Sequence, residues 1–135
     1  MFVDSNIWCF YFDNTCKEHA NVKKFLENVL EKEKIEINTV IVMEVSHFLV
    51  KNLGPSIGKG KIDIFLSLPM NILDFDFSLM KLSINMLADY FHSGIDGRDA
   101  TMLAAMKKSG SNTIATHDSA FKKIDWIKVV DPVHG

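Results

Sequence analysis

Four acidic residues stand beside or inside apolar segments of this 135-residue chain. Asp4 follows MFV, Glu44 interrupts TVIVMEVSHFL, Asp99 precedes ATMLAAM and Asp118 follows TIATH. Apolar segments are normally buried, and burying an unpaired carboxylate costs free energy, so acids in such places need partners. Carboxylates that meet in one place are typical protein ligands of a hard divalent cation such as Mg²⁺. The four acids therefore predict a shared metal site, provided that the fold brings them together.

Three of these acids also have an ordinary explanation as helix or turn caps. Asp4 and Asp118 each stand just before a segment that can form a helix or a short turn, where aspartate is a favoured N-cap. Asp96 and Asp99 have the spacing of a capping box at the start of the next helix. We predict that Asp96 is a helix cap. We take Asp99 as the functional residue, because it lies on a regular helix that apolar residues continue.

Glu44 is the acid that capping does not explain. In a helix, Val40 and Phe48 lie on the same face on either side of it, so the carboxylate interrupts an apolar surface. The structural alternative is a pair with His47 or with Lys51, but Lys51 lies two turns along the helix. We therefore expect Glu44 to take part in the site.

A divalent cation would solve the electrostatic problem that converging acids create. Carboxylates that lie close together repel one another, and each raises the pKa of the others. A cation between them removes that repulsion. It can also lower the pKa of a bound water and neutralise charge on a phosphodiester. Mg²⁺ keeps several water ligands and needs few carboxylates, which suits a set of four acids.

The elements that must position these acids are short apolar strands that alternate with helices. Strands are predicted at Met1–Val3, Ile35–Asn38, Asn71–Phe75, Asn112–Thr116 and Ile127–Val130. Helices are predicted at Asn6–Phe12, Glu18–Lys34, Ser56–Ser67, Ser78–Phe91 and Asp99–Ser109, with a further helix capped by Thr39 that runs to about Asn52. This alternation indicates a parallel sheet covered on both faces. Functional groups gather at the carboxyl ends of such strands, where Asp4, Asp99 and Asp118 would meet.

Length and composition are those of one globular domain, which we place at residues 1–135. Hydrophobic residues make up 47% and charged residues 24% of the chain, an ordinary balance. No apolar stretch is long enough to span a bilayer and no secretory signal is apparent, so we expect a cytoplasmic protein without a membrane partner. Cys9 and Cys16 match no zinc motif and are predicted to be reduced thiols.

Charge is distributed unevenly along the chain, although the net charge is only −2. Between Arg98 and Val130 there are six basic residues and three acids, so this segment is positive. Any one of these lysines is best explained as solvated surface, but the excess is consistent with a modest rim for phosphate contacts. Arg98 is the only arginine and neighbours Asp99. It can serve as a bidentate phosphate contact or as the ion-pair partner of a nearby carboxylate.

Motifs of several other enzyme classes are absent from the sequence. There is no Walker loop, no Rossmann glycine fingerprint and no GxSxG motif. The five histidines show no spacing typical of metal ligands, and His117 is expected at most to line the site. A phosphatase or receiver-type domain with Asp4 as nucleophile is a further alternative. A dehalogenase-like phosphatase, however, would place a second aspartate at position 6, where the chain has Asn6.

In order and context, these motifs resemble those of PIN-domain ribonucleases, and most of all the VapC-type toxins of toxin–antitoxin pairs. The first motif is Asp4-Ser5-Asn6, and the second is Glu44 inside its apolar helix. The third is Asp99-Ala100 followed by small and apolar residues, and the last is Thr116-His117-Asp118 followed by Phe121. The ordered set covers essentially the whole chain. His117 is a departure, because Asn or Arg is common at that position.

The resemblance implies a fold, a reaction and catalytic residues. The fold is a three-layer α/β/α sandwich with a central parallel sheet. The reaction is Mg²⁺- or Mn²⁺-dependent cleavage of single-stranded RNA by an endoribonuclease. Asp4 and Asp99 would hold the metal directly, while Glu44 and Asp118 would act through water or at a second metal position.

The resemblance also implies supporting residues and partners. Asn6 and Thr116 would support the site through hydrogen bonds. Family members usually form homodimers and bind a small antitoxin protein whose tail fills the acidic pocket. The alternative interpretation is a PIN-like module that binds RNA or assembles with other molecules without turnover.

Overall fold

Five short parallel strands form the centre of the molecule. The structure is a computed structural model that describes residues 1–134. Its strands are β1 (Phe2–Val3), β2 (Ile35–Asn38), β3 (Met70–Leu73), β4 (Thr113–Ala115) and β5 (Lys128–Val130). They lie in the order β3-β2-β1-β4-β5, and every pair of neighbours is parallel. The predicted parallel sheet is confirmed.

The apolar residues of the inner strands explain why the sheet forms here. Phe2, Val3, Ile35, Ile37 and Ile114 are all fully buried. Aromatic and β-branched side chains favour extended backbone, and strands that are covered on both faces consist mainly of apolar residues. One cluster of buried side chains joins the sheet to its helices. That one domain spans residues 1–135 remains a prediction, and residue 135 lies outside the described residues.

Six α-helices and two 3₁₀ turns connect the strands in the described part of the chain. The helices are α1 (Ser5–Phe12), α2 (His19–Lys32), α3 (Thr39–Leu53), α4 (Pro55–Leu66), α5 (Phe77–Tyr90) and α6 (Gly97–Ser109). The 3₁₀ turns are Phe91–Ser93 and Ser119–Lys123. Each helix and strand ends within two residues of its predicted position, which is the usual spread between assignments. None of these helices is both long and apolar enough to cross a membrane.

The order of the strands determines which face of the sheet each helix covers. The chain steps from β1 to β2 to β3 in one direction, and then returns past β1 to reach β4. Because crossovers between parallel strands are right-handed, α1 to α4 cover one face, and α5 and α6 cover the other. The contacts of α1 with α2 and α3, of α3 with α4, and of α5 with α6 agree with this division. The predicted α/β/α sandwich is confirmed.

The reversal of direction creates a crevice between the carboxyl ends of β1 and β4. Ligands of open α/β sheets bind at such a switch point. Asp4 directly follows β1, and Thr116 directly follows β4. The Asp4 N–H donates to the carbonyl oxygen of Ala115 at 2.9 Å, so the two strand ends are held side by side. The topology therefore brings the first and last motifs of the sequence to one edge of the sheet.

The N-cap of α3 is Asn38, and the prediction of Thr39 was wrong. Asn38 ends β2 with an extended backbone, and its buried Oδ1 accepts the Ile41 N–H at 2.8 Å. Thr39 is already the first helical residue, and its hydroxyl accepts the Phe75 N–H at 3.0 Å. Both residue types are favoured caps. The choice between them depends on where the strand stops, because only a residue that is still extended can cap.

A glycine permits the close packing of α3 against α4. A Cβ atom at Gly58 would lie 2.8 Å from the Val50 Cα and 2.9 Å from the Leu49 carbonyl oxygen. These neighbours are backbone atoms, so they can move aside only if α3 itself moves. Because α3 carries Glu44, this contact helps to hold one of the four acids in place. At Gly60, on the same helix, a Cβ atom would have no neighbour within 4 Å.

We predict that Gly58→Ala destabilises the protein by about 1–3 kcal/mol, the usual effect of overpacking. Gly60→Ala is the matched control, and it is expected to stabilise the protein by up to about 1 kcal/mol, because alanine favours helix over glycine. Urea unfolding followed by circular dichroism measures both changes. If both variants were stabilised alike, α3 and α4 would not be held at this distance.

Candidate active site

Asp4 is buried at the point where β1 meets α1. It is the N-cap of α1, since its Oδ1 accepts the Ser5 N–H at 2.6 Å. Its other oxygen, Oδ2, accepts the hydroxyl of Thr116 at 2.8 Å. The residue is fully buried. The capping explanation is therefore correct for Asp4, and the same carboxylate also faces the crevice between β1 and β4.

Thr116 connects the last motif of the chain to the first. Its hydroxyl donates to Asp4 and accepts the Asp118 N–H at 3.0 Å. The Asn6 side-chain amide lies 3.5 Å from the same hydroxyl, and its oxygen accepts the His117 N–H at 3.4 Å. The structure thus places both predicted supporting residues, Asn6 and Thr116, in contact with the turn that follows β4. Their arrangement fixes which way the Asp4 carboxylate faces.

Asp99 stands in the first turn of α6, where it forms the predicted capping box with Asp96. The Asp96 Oδ1 accepts the Asp99 N–H at 2.8 Å, and the Asp99 Oδ2 accepts the Asp96 N–H at 3.2 Å. The Asp99 side chain is almost completely buried. Only its Oδ1 is left for another partner. The capping box therefore holds the Asp99 carboxylate rigidly and aims one oxygen away from the helix.

Glu44 reaches the same place from the middle of α3. Its Oε2 accepts a hydrogen bond from the Arg98 Nη1 at 3.1 Å. The partner is therefore Arg98 and not His47 or Lys51, the alternatives that the sequence left open. The Glu44 Oε1 is buried and has no hydrogen-bond partner within residues 1–134. A buried carboxylate oxygen without a partner carries a free-energy penalty that a cation would relieve.

The guanidinium of Arg98 joins three of the four acids. Its Nη1 lies 3.4 Å from the Asp4 Oδ1 and 3.1 Å from the Glu44 Oε2, and its Nη2 lies 3.2 Å from the Asp99 Oδ1. Nη1 also donates to the Ser5 hydroxyl at 3.1 Å. Of the two roles considered for Arg98, the structure shows the ion pair. The side chain is 34% exposed, so it can leave the acids without unfolding the site.

One guanidinium does not balance the charge of this cluster. Three carboxylates share it, so two negative charges remain when all three are ionised. Burial raises the pKa of Asp4 and of Glu44, and Arg98 lowers both in part. Burial also raises the pKa of Asp99 to about 6, and the charges of Asp96 and then Asp118 add to that rise. The site is therefore electrostatically strained in a way that more positive charge would relieve.

The donor set fits a hard divalent cation. The acids of the cluster offer carboxylate oxygens as metal ligands, and Mg²⁺ and Mn²⁺ prefer oxygen ligands. The three carboxylates carry more negative charge than Arg98 balances, which favours a further cation. The Glu44 Oε1, buried without a partner, is the observation that favours a ligand at this position. Asp4 and Asp99 are buried and held by hydrogen bonds, as a site with fixed geometry requires.

Asp118 and His117 stand at the edge of the cluster. The Asp118 Oδ1 caps the following 3₁₀ turn by accepting the Ala120 N–H at 2.9 Å, as the alternative explanation predicted. Within residues 1–134, Asp118 makes no ion pair with Arg98. Its negative charge instead contributes to the raised pKa of Asp99. The His117 ring lies 2.9 Å from the Asp131 carboxylate, so it points to the far side of the turn.

Sequence reasoning did not single out Ser5 as a member of the site. Its hydroxyl contacts both the Asp4 Oδ1, at 3.3 Å, and the Arg98 guanidinium. The signal was present, because Ser5 belongs to the first motif and directly follows a capping aspartate.

Asn38 was missed for another reason. Its amide nitrogen donates to the Thr101 carbonyl oxygen at 3.3 Å and so ties the start of α3 to α6, a contact between distant segments.

Solved structures of similar fold include three toxins or toxin–antitoxin complexes. The Mycobacterium tuberculosis toxin VapC20, described as cleaving the sarcin-ricin loop, is 18% identical with a TM-score of 0.75, over 90% of this chain and 92% of that chain. VapBC2 of Rickettsia felis, bound to promoter DNA, is 22% identical with a TM-score of 0.73, over 96% of each chain. A Klebsiella pneumoniae toxin–antitoxin complex is 21% identical with a TM-score of 0.74, over 97% and 96%.

Sequence comparison identifies the family. No curated protein matches the chain closely enough to count as a relative. The family described as PIN domain matches residues 1–127, which include all four acids and the elements that position them. The match confirms the resemblance seen in the motifs, and the likeness to the solved structures agrees with it at the level of the fold. The chain belongs to the PIN domain family.

Proposed function

We propose that this protein is a metal-dependent endoribonuclease that hydrolyses phosphodiester bonds of single-stranded RNA, and that it is the toxin of a type II toxin–antitoxin system. The observation that carries the proposal is the convergence of Asp4, Glu44 and Asp99 on one guanidinium at the switch point of the sheet. These acids come from three separate elements. Membership of the PIN domain family supports a nuclease.

Mg²⁺ or Mn²⁺ would supply the positive charge that neutralises the phosphodiester and activates water for attack. Asp4 and Asp99 would hold the ion, because each is buried and held in place by hydrogen bonds. Glu44 would turn its free Oε1 towards water or a second ion. The carboxylate of Asp118, in the turn after β4, would also contact water or a second ion. Thr116 orients Asp4, and its contact with the Asp118 N–H couples the two motifs.

Arg98 has two roles in this proposal. It holds the acids together while no other cation is near, because three carboxylates share its guanidinium. With a metal bound to the acids, Arg98 would be free for another contact, because its side chain is partly exposed. A planar guanidinium suits a bidentate contact with phosphate. We therefore assign to Arg98 a contact with the RNA backbone next to the metal.

The proposed partners are RNA, a small antitoxin protein and a second copy of the chain. The Klebsiella pneumoniae and Rickettsia felis neighbours support the antitoxin, because they are a toxin–antitoxin complex and a VapBC assembly. Large apolar side chains are exposed at Met43, Ile57, Phe77 and Phe91. Exposed apolar surface of this kind is often used for protein contacts. We expect the protein to act in the cytoplasm, where its RNA substrate is found.

The second candidate is a PIN-like module that binds RNA or assembles without turnover. Arg98 is the observation that favours it, because an internal cation already pairs with three of the acids. In that case Arg98 would stay in place and the acids would never bind a metal. The two candidates differ in whether divalent ions bind to the acids and whether RNA is cut.

We predict that Asp4→Asn and Asp99→Asn each reduce Mn²⁺-dependent cleavage of single-stranded RNA by more than about 100-fold, because a metal ion contributes several kcal/mol of charge stabilisation. Chelator should abolish cleavage by the wild type. Asp63→Asn is the matched control, since Asp63 is an exposed acid of α4 paired with Lys59. Equal cleavage by wild type and both site variants, at equal thermal stability, would refute the nuclease proposal.

We predict that Arg98→Gln separates the two roles of the arginine. Without the competing guanidinium, Mn²⁺ should bind the acids more tightly than in the wild type when no RNA is present. The KM for RNA should nevertheless rise by roughly tenfold, the effect of losing about one charge-assisted hydrogen bond. Calorimetric titration measures the first effect and steady-state cleavage the second. Weaker Mn²⁺ binding by the variant would show that Arg98 does not compete with the metal.

We predict that Asp99 makes metal-free protein less stable as pH rises from about 4 to about 6. The pKa of Asp99 is about 6 in the folded state against an ordinary value of 3.8, so between these values the folded protein holds the extra proton. Raising the pH therefore favours unfolding, by linkage. Relative to Asp99→Asn in chelator, the wild type should lose free energy of unfolding across this range. Saturating Mn²⁺ should reverse the trend.

The control for this experiment is the same comparison with Asp63→Asn, which removes an exposed acid of α4 outside the cluster. A difference between wild type and Asp99→Asn that stays constant from pH 4 to pH 7 would contradict the raised pKa of Asp99.

A further inference from the structure

Two histidines and an aspartate lie together beside the candidate active site. His117, Asp131 and His134 each present one ligand atom, and these three atoms lie within 4.8 Å of one another. The Nδ1 of His117 is 2.9 Å from the Asp131 Oδ2, and the Nε2 of His134 is 3.8 Å from the same oxygen. Within residues 1–134, the ion-pair partners of Arg98 are Asp4, Glu44 and Asp99, and none of the three residues of this second cluster is among them. The group is therefore a second cluster with its own chemistry.

The topology of the sheet creates this cluster. β4 and β5 are parallel neighbours, with Ala115 opposite Val130. His117 comes two residues after Ala115, and Asp131 comes directly after Val130. Strands that run side by side in the same direction end at the same edge, so these two side chains meet although they are far apart in the sequence. This explains why the spacing of the histidines gave no metal signal.

The cluster has the composition of a transition-metal site. Imidazole nitrogen and carboxylate oxygen are ligands that Zn²⁺ accepts, whereas Mg²⁺ prefers oxygen alone. Bonds of about 2.0–2.1 Å in a tetrahedral site place neighbouring ligand atoms roughly 3.3 Å apart. The Asp131 Oδ2 lies 2.9 Å from the His117 Nδ1 and 3.8 Å from the His134 Nε2, so the two distances lie on either side of this ideal separation. Small side-chain rotations would bring all three atoms to bonding distance of one ion.

Neighbouring residues hold Asp131 and His117 in place, and the cluster remains accessible to solvent. The other oxygen of Asp131 accepts the Val133 N–H at 3.0 Å, which fixes the carboxylate. The Phe10 and His117 rings pack in a T-shaped pair, with 6.2 Å between ring centroids. An open pocket of about 350 Å³ adjoins the two histidines and is also lined by Lys17 and Glu18. A metal ion can therefore enter from solvent and keep a water as its fourth ligand.

We propose that His117, Asp131 and His134 bind Zn²⁺, or a similar borderline transition metal, at a site distinct from the carboxylate cluster. The ion would join the segment after β5 to the turn after β4. That turn begins at Thr116 and carries Asp118, and the His117 N–H contacts Asn6. Metal at this site would therefore stiffen the edge of the active site without contacting substrate. The site is independent of whether the protein cuts RNA.

The test is a calorimetric titration with Zn²⁺ in an Asp99→Asn background, which weakens binding at the carboxylate cluster. One equivalent of Zn²⁺ is expected to bind, and His134→Gln and Asp131→Asn should each weaken this binding by more than about tenfold, since even outer partners of metal ligands change affinity by about 10- to 100-fold. His92→Gln is the matched control, because His92 is an exposed histidine in another part of the structure. It should bind Zn²⁺ like the parent.

Nuclear magnetic resonance of the imidazole nitrogens provides a second measurement that does not depend on activity. Addition of Zn²⁺ should shift the ring signals of His117 and His134 and leave those of His19, His47 and His92 unchanged. Unchanged His117 and His134 signals, or Zn²⁺ affinity unaffected by His134→Gln and Asp131→Asn, would overturn the proposal. The cluster would then be only a hydrogen-bonded pair with a neighbouring histidine.

Discussion

Repulsion between buried carboxylates is the interaction on which the active-site edge of this protein depends. Asp4 follows β1, Glu44 lies in α3 and Asp99 lies in α6, and the packing of these elements brings the three acids into one crevice. A single guanidinium, that of Arg98, pairs with all three carboxylates. Because one positive charge does not balance three negative ones, the cluster keeps an excess of negative charge, and this excess is the basis for the divalent cation proposed above.

Capping and function are not competing explanations of these aspartates. Asp4 caps α1, Asp99 belongs to a capping box with Asp96, and Asp118 caps a 3₁₀ turn. Helices that follow parallel strands begin at the carboxyl edge of the sheet, so a residue that caps such a helix already stands at the ligand-binding edge. The cap also holds the carboxylate still. The fold thus uses one hydrogen bond both to begin a helix and to hold a carboxylate that we propose as part of the site.

Two positions along the same edge of the sheet offer different ligand chemistry. Between β1 and β4 the donors are carboxylate oxygens, which suit hard cations. Beyond β4, next to β5, the donors are two imidazoles and one carboxylate from His117, His134 and Asp131, which suit softer metals. His117 separates the two sites by facing Asp131 while its backbone stays with Asn6. The two proposed metal sites therefore share no ligand, although they lie beside neighbouring strands.

The sequence by itself determined the alternation of strands and helices, the parallel sheet and the identity of the four acids, because apolar periodicity and motif order are local properties. It also determined the capping box of Asp96 and Asp99. Only the tertiary structure decided that Arg98 pairs with Glu44, that Asn38 caps α3 in place of Thr39, and that distant histidines meet. These outcomes depend on where strands end and which ends lie side by side, and non-local packing sets both.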